Sequence, residues 1–315
     1  AISSPDREIS VDDRHRAEEA ATIVQLPANK DIIKVFAKNY RLDGQENIKD
    51  PVGMHGVRLE VDTHMLLASI PALKLLDQVL ARAELRANHR SVSSLAAAEA
   101  VLNRQQKESG VAVVDIGAAT TNVVVIEDGE VEHIDVIPMG GKHITNDLAI
   151  GLKTDLDVAD LIKVKHASLS QRVSGEGSFV KGGEEVRFDR EMMRLIAQAR
   201  VEEILEYVDK EFKQIHRSKK LPGGVVFVGG SAKLPGLADF AKETLELPAR
   251  IGSFKQVPKI VDGLDEQIFA PAVGLMLLDM YLGPSSAGSF DEVSTSIFQS
   301  VKNPLNSLLG RLRLK

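Results

Sequence analysis

The sequence predicts an α/β protein in which a larger lobe follows a small α+β lobe, and three observations carry that prediction. Val111-Ala112-Val113-Val114 is an unbroken apolar run of the kind a buried strand needs, and it ends in Asp115-Ile116-Gly117-Ala118-Ala119-Thr120-Thr121. Far downstream, Val225 to Val228 is a second short apolar run that delivers Gly229-Gly230-Ser231. Upstream of both, Val57, Leu59, Val61, Thr63, Met65 and Leu67 alternate with Arg58, Glu60, Asp62 and His64, the period of a strand with one buried face.

Composition narrows the function classes. At 315 residues, 43% of them apolar, the chain is long enough for two or more lobes. Tryptophan is absent, aromatics are 4% and the net charge is −6, so the stacking side chains and basic excess of a nucleic-acid binder are both missing; no nucleic acid is expected as a partner. The absence of cysteine excludes disulfides, thiolate zinc sites and cysteine nucleophiles, and fits a reducing compartment. No run of about 18 apolar residues occurs that could span a bilayer. The first residues lack both the apolar segment of a signal peptide and an initiator Met, so the chain is expected to begin inside a domain.

The elements follow in order. Ser10 and Asp13 have the capping-box spacing, and residues 10–24 read as a helix closed by Pro27. Residues 31–42 read as a strand, and Asp50-Pro51-Val52-Gly53-Met54 as a loop before the alternating strand. Pro71 opens a helix in which Leu73, Leu76, Val79, Leu80 and Ala83 share a face. Ser93 is placed to cap an alanine-rich helix over 95–102. After the run ending in Asp115, a strand over 122–126 turns at Asp128-Gly129 and returns over 131–137. Gly140-Gly141 precedes a helix, and Thr154 with Asp157 introduces another that carries Asp160 and Lys163. Residues 168–185 read as a mobile loop or hairpin tip, followed by a long helix over 189–216. Pro235 starts a helix, residues 270–281 form a last apolar one, and 283–303 shift to linker composition.

An Asp at the end of a buried strand, followed by small residues and two threonines, suits a phosphate site. Small side chains let successive backbone N–H groups approach phosphate oxygens, and the Asp can hold Mg²⁺ through water. A tight hairpin whose small residues only relieve crowding accounts for this fragment as well. Gly229-Gly230-Ser231 permits positive φ and leaves room for a ligand against the backbone, although an ordinary strand-to-helix turn looks the same. The two together are harder to explain by chance than either alone.

These segments resemble the nucleotide site of the actin, sugar-kinase and heat-shock ATPase superfamily. Asp115 to Thr121 looks like its second phosphate loop, and Val228-Gly229-Gly230-Ser231 like its adenosine motif. Within the superfamily, residues 50–59 (DPVGMHGVRL), 136–149 (VIPMGGKHITNDLA), 163–166 (KVKH) and 271–275 (PAVGL) are similar to segments of the FtsA cell-division family, and the similarity covers nearly the whole chain. The resemblance implies an actin-like (ribonuclease H-like) ATPase lobe with a small inserted α+β lobe and the first phosphate hairpin absent. It implies ATP and Mg as cofactors. Asp115 would be the catalytic, metal-side carboxylate, and Gly117, Ala118, Ala119, Thr120 and Thr121 would line the phosphates. Asp160 and Lys163, whose i, i+3 spacing puts them on one helix face, would reach the ribose and adenine. Gly229, Gly230 and Ser231 would contact the adenosine and α-phosphate. Two departures stand out: the family has glycines where Ala118 and Ala119 stand and Asp where Asn122 stands. Alanine does not readily take positive φ and Asn lacks the charge, so altered nucleotide geometry or weaker hydrolysis is expected.

The resemblance also divides the chain and assigns partners. Residues 1–90 match the FtsA-specific small lobe, expected to bear on self-association into filaments and on other division proteins. Residues 91–282 match the nucleotide-binding lobe, with an inserted subdomain at about 162–215 that would receive the C-terminal peptide of FtsZ near Arg194 and Arg200. A solvated charged helix face is the plainer reading of those arginines. After the linker, residues 304–315 place Leu305, Leu308, Leu309 and Leu312 at i, i+3, i+4 and i+7 beside Arg311 and Arg313, a short cationic amphipathic helix suited to a membrane surface or to its own domain. The expected function is an ATP-binding, polymer-forming adaptor tethering FtsZ filaments to the inner face of the cell membrane at the septum, at most a slow ATPase. A kinase-like or heat-shock-like enzyme, and an interaction module that binds no nucleotide, are the rivals. Eight scattered histidines and the lack of a Gly-x-Ser-x-Gly elbow speak against metal-only and Ser-His-Asp chemistry.

Overall fold

The structure, a computed structural model, describes residues 8–87, 90–170, 175–255 and 263–282. Leu305, Leu308, Leu309, Arg311, Leu312 and Arg313, with the linker before them, lie outside the described residues. These residues form two compact units, one running to Arg90 and taking in Leu278 to Leu282, the other from Ser91 to Leu277.

In the first unit, α1 (Val11–Thr22) starts at the predicted capping box: Asp13 N donates to Ser10 Oγ at 3.2 Å, and Ser10 N donates to Asp13 Oδ2 at 2.9 Å. Strands β1 (Lys30–Leu42), β2 (Gln45–Ile48) and β3 (Leu59–Ser69) pair antiparallel in the order β2-β1-β3. Ile9, Tyr40, Leu42 and Ile48 form the unit's apolar cluster. Helix α2 (Ile70–Arg82) has Pro71 in its first turn, and on its apolar face Leu76 and Val79 are exposed among the described residues.

The second unit opens with α3 (Ser93–Val101), buried from Ser94 onward. Ser93 is not its cap: Val92 holds that position, and valine has no polar side chain with which to cap the helix. Helix α4 (Arg104–Ser109), with an Asn103–Gln106 capping box, was not anticipated. Strands β4 (Val111–Ile116), β5 (Thr121–Glu127) and β6 (Glu130–Ile137) form the antiparallel part of the central sheet, and α5 (Gly141–Gly151) and α6 (Leu156–His166) follow. Asp155, not Thr154, precedes α6, without a side-chain cap bond. Of residues 168–185, the part from Glu176 joins an ordered hairpin, β7 (Glu176–Lys181) with β8 (Glu184–Asp189), turning at Gly182-Gly183.

Asp189 caps the long helix α7 (Arg190–Gln214), its carboxylate accepting from Met192 N at 2.9 Å. Strand β9 (Val225–Val228), a short 3₁₀ turn (Gly230–Lys233), α8 (Leu237–Leu245), β10 (Ala249–Ile251) and the part of α9 (Ala270–Leu282) up to Leu277 complete the unit. Helix α8 starts two residues beyond Pro235, because the 3₁₀ turn takes up the chain and Gly236, at φ 84°, redirects it. The sheet order is β10-β9-β4-β5-β6, with β4, β9 and β10 mutually parallel where they pair. Valines dominate β4, β5 and β9, and all of β4 and β9 is buried, as expected for strands covered on both faces. Phe212, Phe227, Ile162, Ile204 and Leu205 anchor the core between this sheet and the helices.

Candidate nucleotide site

The two motifs that lie far apart in sequence meet at the carboxyl ends of adjoining parallel strands, the position where open α/β sheets bind ligands. Asp115 stands opposite Val228 in the β4–β9 register, so Gly229 continues directly beside Ile116. Gly229 has φ 87° and ψ 171°, a conformation close to exclusive to glycine. A Cβ there would lie 2.5 Å from Asp115 Oδ1 and 2.6 Å from the Ile116 carbonyl oxygen. Gly230, by contrast, is exposed and faces open space.

The loop after β4 is polarised. Its carbonyls turn inward: Gly141 N donates to Gly117 O at 2.9 Å and Lys142 N to Ala118 O at 2.7 Å, so the loop caps the first turn of α5. The approach is close enough that a Cβ on Gly140 would lie 2.6 Å from Gly117 O, and one on Gly141 would lie 2.5 Å from Ser231 Oγ. Among the backbone hydrogen bonds of the described residues, the N–H groups of Ala118, Ala119 and Thr120 have no acceptor. Consecutive unpaired amides on an exposed turn form a concavity suited to an anion. Neither alanine has positive φ, so the departure from glycine introduces no backbone strain. Thr120 is half-buried at the lip, whereas Thr121 is fully buried and its hydroxyl donates to Met139 O at 2.8 Å.

Asp115 is buried. Burial pushes its carboxyl above the usual carboxylate range, and hydrogen bonds from Ser93 and Asn122 act the other way. Asp160 and Lys163 do share a face of α6 and hydrogen-bond each other at 2.7 Å. Lys163 Nζ also donates to Thr145 Oγ1 at 2.7 Å and to Gly141 O at 3.3 Å, and Thr145 donates toward Asp160 at 3.0 Å. The Lys163 ammonium therefore holds the Asp160 carboxyl below its ordinary range and ties α6 to the start of α5. Motif reading missed Thr145, which joins Asp160 and Lys163 here; its only sequence signal is the one-turn spacing from Gly141. Ser93 was read only as a cap.

Residues 112–274 match the family model "Cell division protein FtsA", and residues 1–67 match "SHS2 domain inserted in FTSA". The chain is 31% identical over 317 aligned positions to the cell division protein FtsA of Pseudomonas aeruginosa, covering 99% of this chain and 75% of that protein. It belongs to the FtsA family. The FtsA of Bacillus subtilis is 35% identical, with 88% of this chain and 62% of that protein covered, so the chain spans between about three fifths and three quarters of these two relatives. Solved structures place the fold among actin-like proteins. MreB5 of Spiroplasma citri bound to ADP superposes with a TM-score of 0.54 at 16% identity, covering 68% of this chain and 67% of that one. The PilM–PilN type IV pilus biogenesis complex gives 0.58 at 18%, covering 84% and 70%.

The two arginines expected to face an FtsA partner differ in their surroundings. Arg200 forms a bidentate pair with Asp147, Nε to Oδ2 at 2.5 Å and Nη2 to Oδ1 at 3.0 Å, and also meets Glu203; the Asp147 bond raises its pKa. It lines an open groove with Asp147, Ile150, Ile196, Ala199 and Glu203, in which Ile150 is 77% exposed. Arg194 does not line that groove. Its guanidinium is bonded to Glu191 and Gln198 and its side chain is 11% exposed.

Proposed function

We propose that this FtsA-family chain binds ATP between the loop at 117–120 and the turn at 229–231, and acts as a polymer-forming adaptor that tethers FtsZ filaments to the cytoplasmic membrane. The observation that carries the nucleotide reading is the run of amides at Ala118, Ala119 and Thr120 that find no backbone acceptor among the described residues, in the loop that follows β4 at the same strand ends as the Gly229 turn. Asp115 supplies the one carboxylate, and among the described residues no cluster of three or more His, Cys, Asp or Glu side chains could hold a metal alone. That donor set fits Mg²⁺, which usually takes one or two carboxylates and completes its shell with phosphate oxygens and water. When bound, the ion would neutralise the phosphates. Asp115 would orient it, the loop amides would hold the phosphates, and Gly229, Gly230 and Ser231 would bear the adenosine. Asp160 and Lys163 would fix the nearby wall. ATP in this scheme sets polymer state, with slow hydrolysis at most.

The groove beside Arg200 is the proposed seat of the FtsZ C-terminal peptide, since its apolar floor of Ile150, Ile196 and Ala199 suits the apolar side chains of such a segment. Residues 1–90 would serve filament contacts and other division proteins, and residues 304–315 would lie on the membrane's inner face at the septum. No helix among the described residues is long and apolar enough to cross a membrane.

Equilibrium binding of a fluorescent ATP analogue tests the central claim. Binding that falls at least about tenfold in Asp115→Ala, the loss of roughly one charge-assisted contact, is expected. An analogue that binds wild type and Asp115→Ala equally would remove this site.

A further inference from the structure

Asp115 is approached from three elements at once. Asn122 stands directly opposite it in the antiparallel β4–β5 register, which places both side chains on one face of the sheet as cross-strand neighbours. The side chain of Ser93, the first residue of α3, acts on the same carboxylate and offsets part of the upward push of burial on its pKa. Gly229 lies on the third side, its missing side chain leaving the room that Asp115 Oδ1 occupies, since a Cβ there would lie 2.5 Å from that oxygen. A buried carboxylate gripped in this way has its rotamer fixed before any ligand arrives.

We propose that Ser93 and Asn122 are positioning residues for Asp115, and that together they set the strength of the Mg²⁺-dependent part of nucleotide binding. This extends the nucleotide reading given above. The physical content is specific. An Asn amide beside a buried carboxylate donates a hydrogen bond without adding charge, so the metal side of the site carries one negative charge and one fixed orientation. Ser93 makes the first turn of α3 sensitive to the same atom, so a change at the cation is felt at the start of a helix buried along its length. Neither residue need touch the ion or the nucleotide.

The test uses the full chain and two independent readouts. In nucleotide-free protein, NMR follows the side-chain amide protons of Asn122. One of them should be protected from solvent exchange by at least about tenfold, the equivalent of one hydrogen bond to a charged group, and Asp115→Ala should abolish the protection. In parallel, ADP affinity is measured with Mg²⁺ and with EDTA. Ser93→Ala and Asn122→Ala should each reduce the ratio of the two affinities by about three- to tenfold, and Ser93→Thr, which keeps the hydroxyl, should restore it. Ser93→Ala deletes a single oxygen from a half-buried position, so it keeps the test open should Asn122→Ala misfold.

An unprotected Asn122 amide, or the same protection in Asp115→Ala, would overturn the clamp whether or not nucleotide binds. A magnesium ratio unchanged in Ser93→Ala would overturn its link to the metal. Absence of any ADP binding by wild type, with the amide still protected, would remove the nucleotide reading and the metal link while leaving the clamp in place.

Discussion

Replacing Gly229 by alanine should unfold the second unit far more readily than the same change one residue later. At φ 87° and ψ 171° a side chain costs on the order of 1–3 kcal/mol in backbone strain. The new methyl carbon would also lie 2.5 Å from Asp115 Oδ1 and 2.6 Å from Ile116 O, and relieving such overpacking costs a further ~1–3 kcal/mol. The Ile116 contact is to backbone in a fully buried strand, so it cannot be relieved by rotating a side chain. The sum, about 4 kcal/mol, is a large part of the 5–15 kcal/mol typical of a domain. Gly230→Ala meets no atom within 4 Å and needs no positive φ, so its effect should stay within about 0.5 kcal/mol. Urea denaturation followed by circular dichroism separates the two: with a slope near 2 kcal/mol per molar, the midpoint of Gly229→Ala should fall by about 2 M. Midpoints within about 0.5 M of each other would refute the claim that this turn is wedged against Asp115.

Lys107 Nζ bonds both Glu99 carboxylate oxygens at 2.8 Å, with side chains 8% and 3% exposed. Lys107→Met should therefore cost roughly 3–5 kcal/mol by leaving a buried charge, while Glu99→Leu/Lys107→Met should recover most of it, as read from denaturation midpoints. His166 stacks on Phe179 at 5.7 Å and meets Phe188 at 5.2 Å, with Nε2 buried and without a partner. Burial first, then the nearby Arg190 and Lys165, push its pKa below the ordinary 6.5, so stability present above 6.5 is lost as pH falls from there toward the folded value. Hydrogen exchange of the β7–β8 amides, corrected for intrinsic rates, should accelerate on going to pH 5.5 in wild type and not in His166→Phe; equal acceleration in both would discard the idea. Asp115 has the opposite sign for a carboxyl: burial raises its folded pKa, so native stability falls as pH rises from the unfolded value through the folded one, and the penalty is complete above it. Asp115→Asn should accordingly be more stable than wild type at neutral pH, with a flatter acid-side profile by thermal melting.

Much of the fold could be read from pattern alone, and the failures have identifiable causes. The valine runs of β4 and β9 and the turn at Asp128-Gly129 are local signals, and the strands formed where they were expected. The capping box of α1 likewise depends only on residues three apart. Ser93 and Thr154 misled because a serine or threonine before a helical pattern is a statistical cap, whereas here Val92 took the cap position before α3 and Asp155 the one before α6. Strand β10 is three residues long and is held by parallel pairing to β9, which no local pattern announces. At the site, the motifs located the backbone turns but not the side chains that serve them. Thr145 and the cross-strand meeting of Asn122 with Asp115 exist only once α5, α6 and the hairpin are assembled.

The alanines at 118 and 119 show which property of a phosphate loop the sequence must preserve. Glycine in such a loop can serve two purposes, reaching positive φ or letting another group come close, and the two make different demands. Here the positive φ falls at Gly229, and the close approach falls at Gly140 and Gly141, where α5 meets the loop carbonyls and Ser231. Positions 118 and 119 carry neither demand: their φ values are ordinary and their side chains are exposed. What the loop needs is its polarity, with carbonyls bonded to the Gly141 and Lys142 amides and its own amides left without a backbone acceptor among the described residues. A methyl group on an exposed residue does not disturb that arrangement. The same reasoning makes Gly140 the intolerant position, because a Cβ there would lie 2.6 Å from Gly117 O and 3.0 Å from the Ala118 backbone and would part the loop from the helix that orients it, whereas at Gly141 the clash is with the Ser231 hydroxyl.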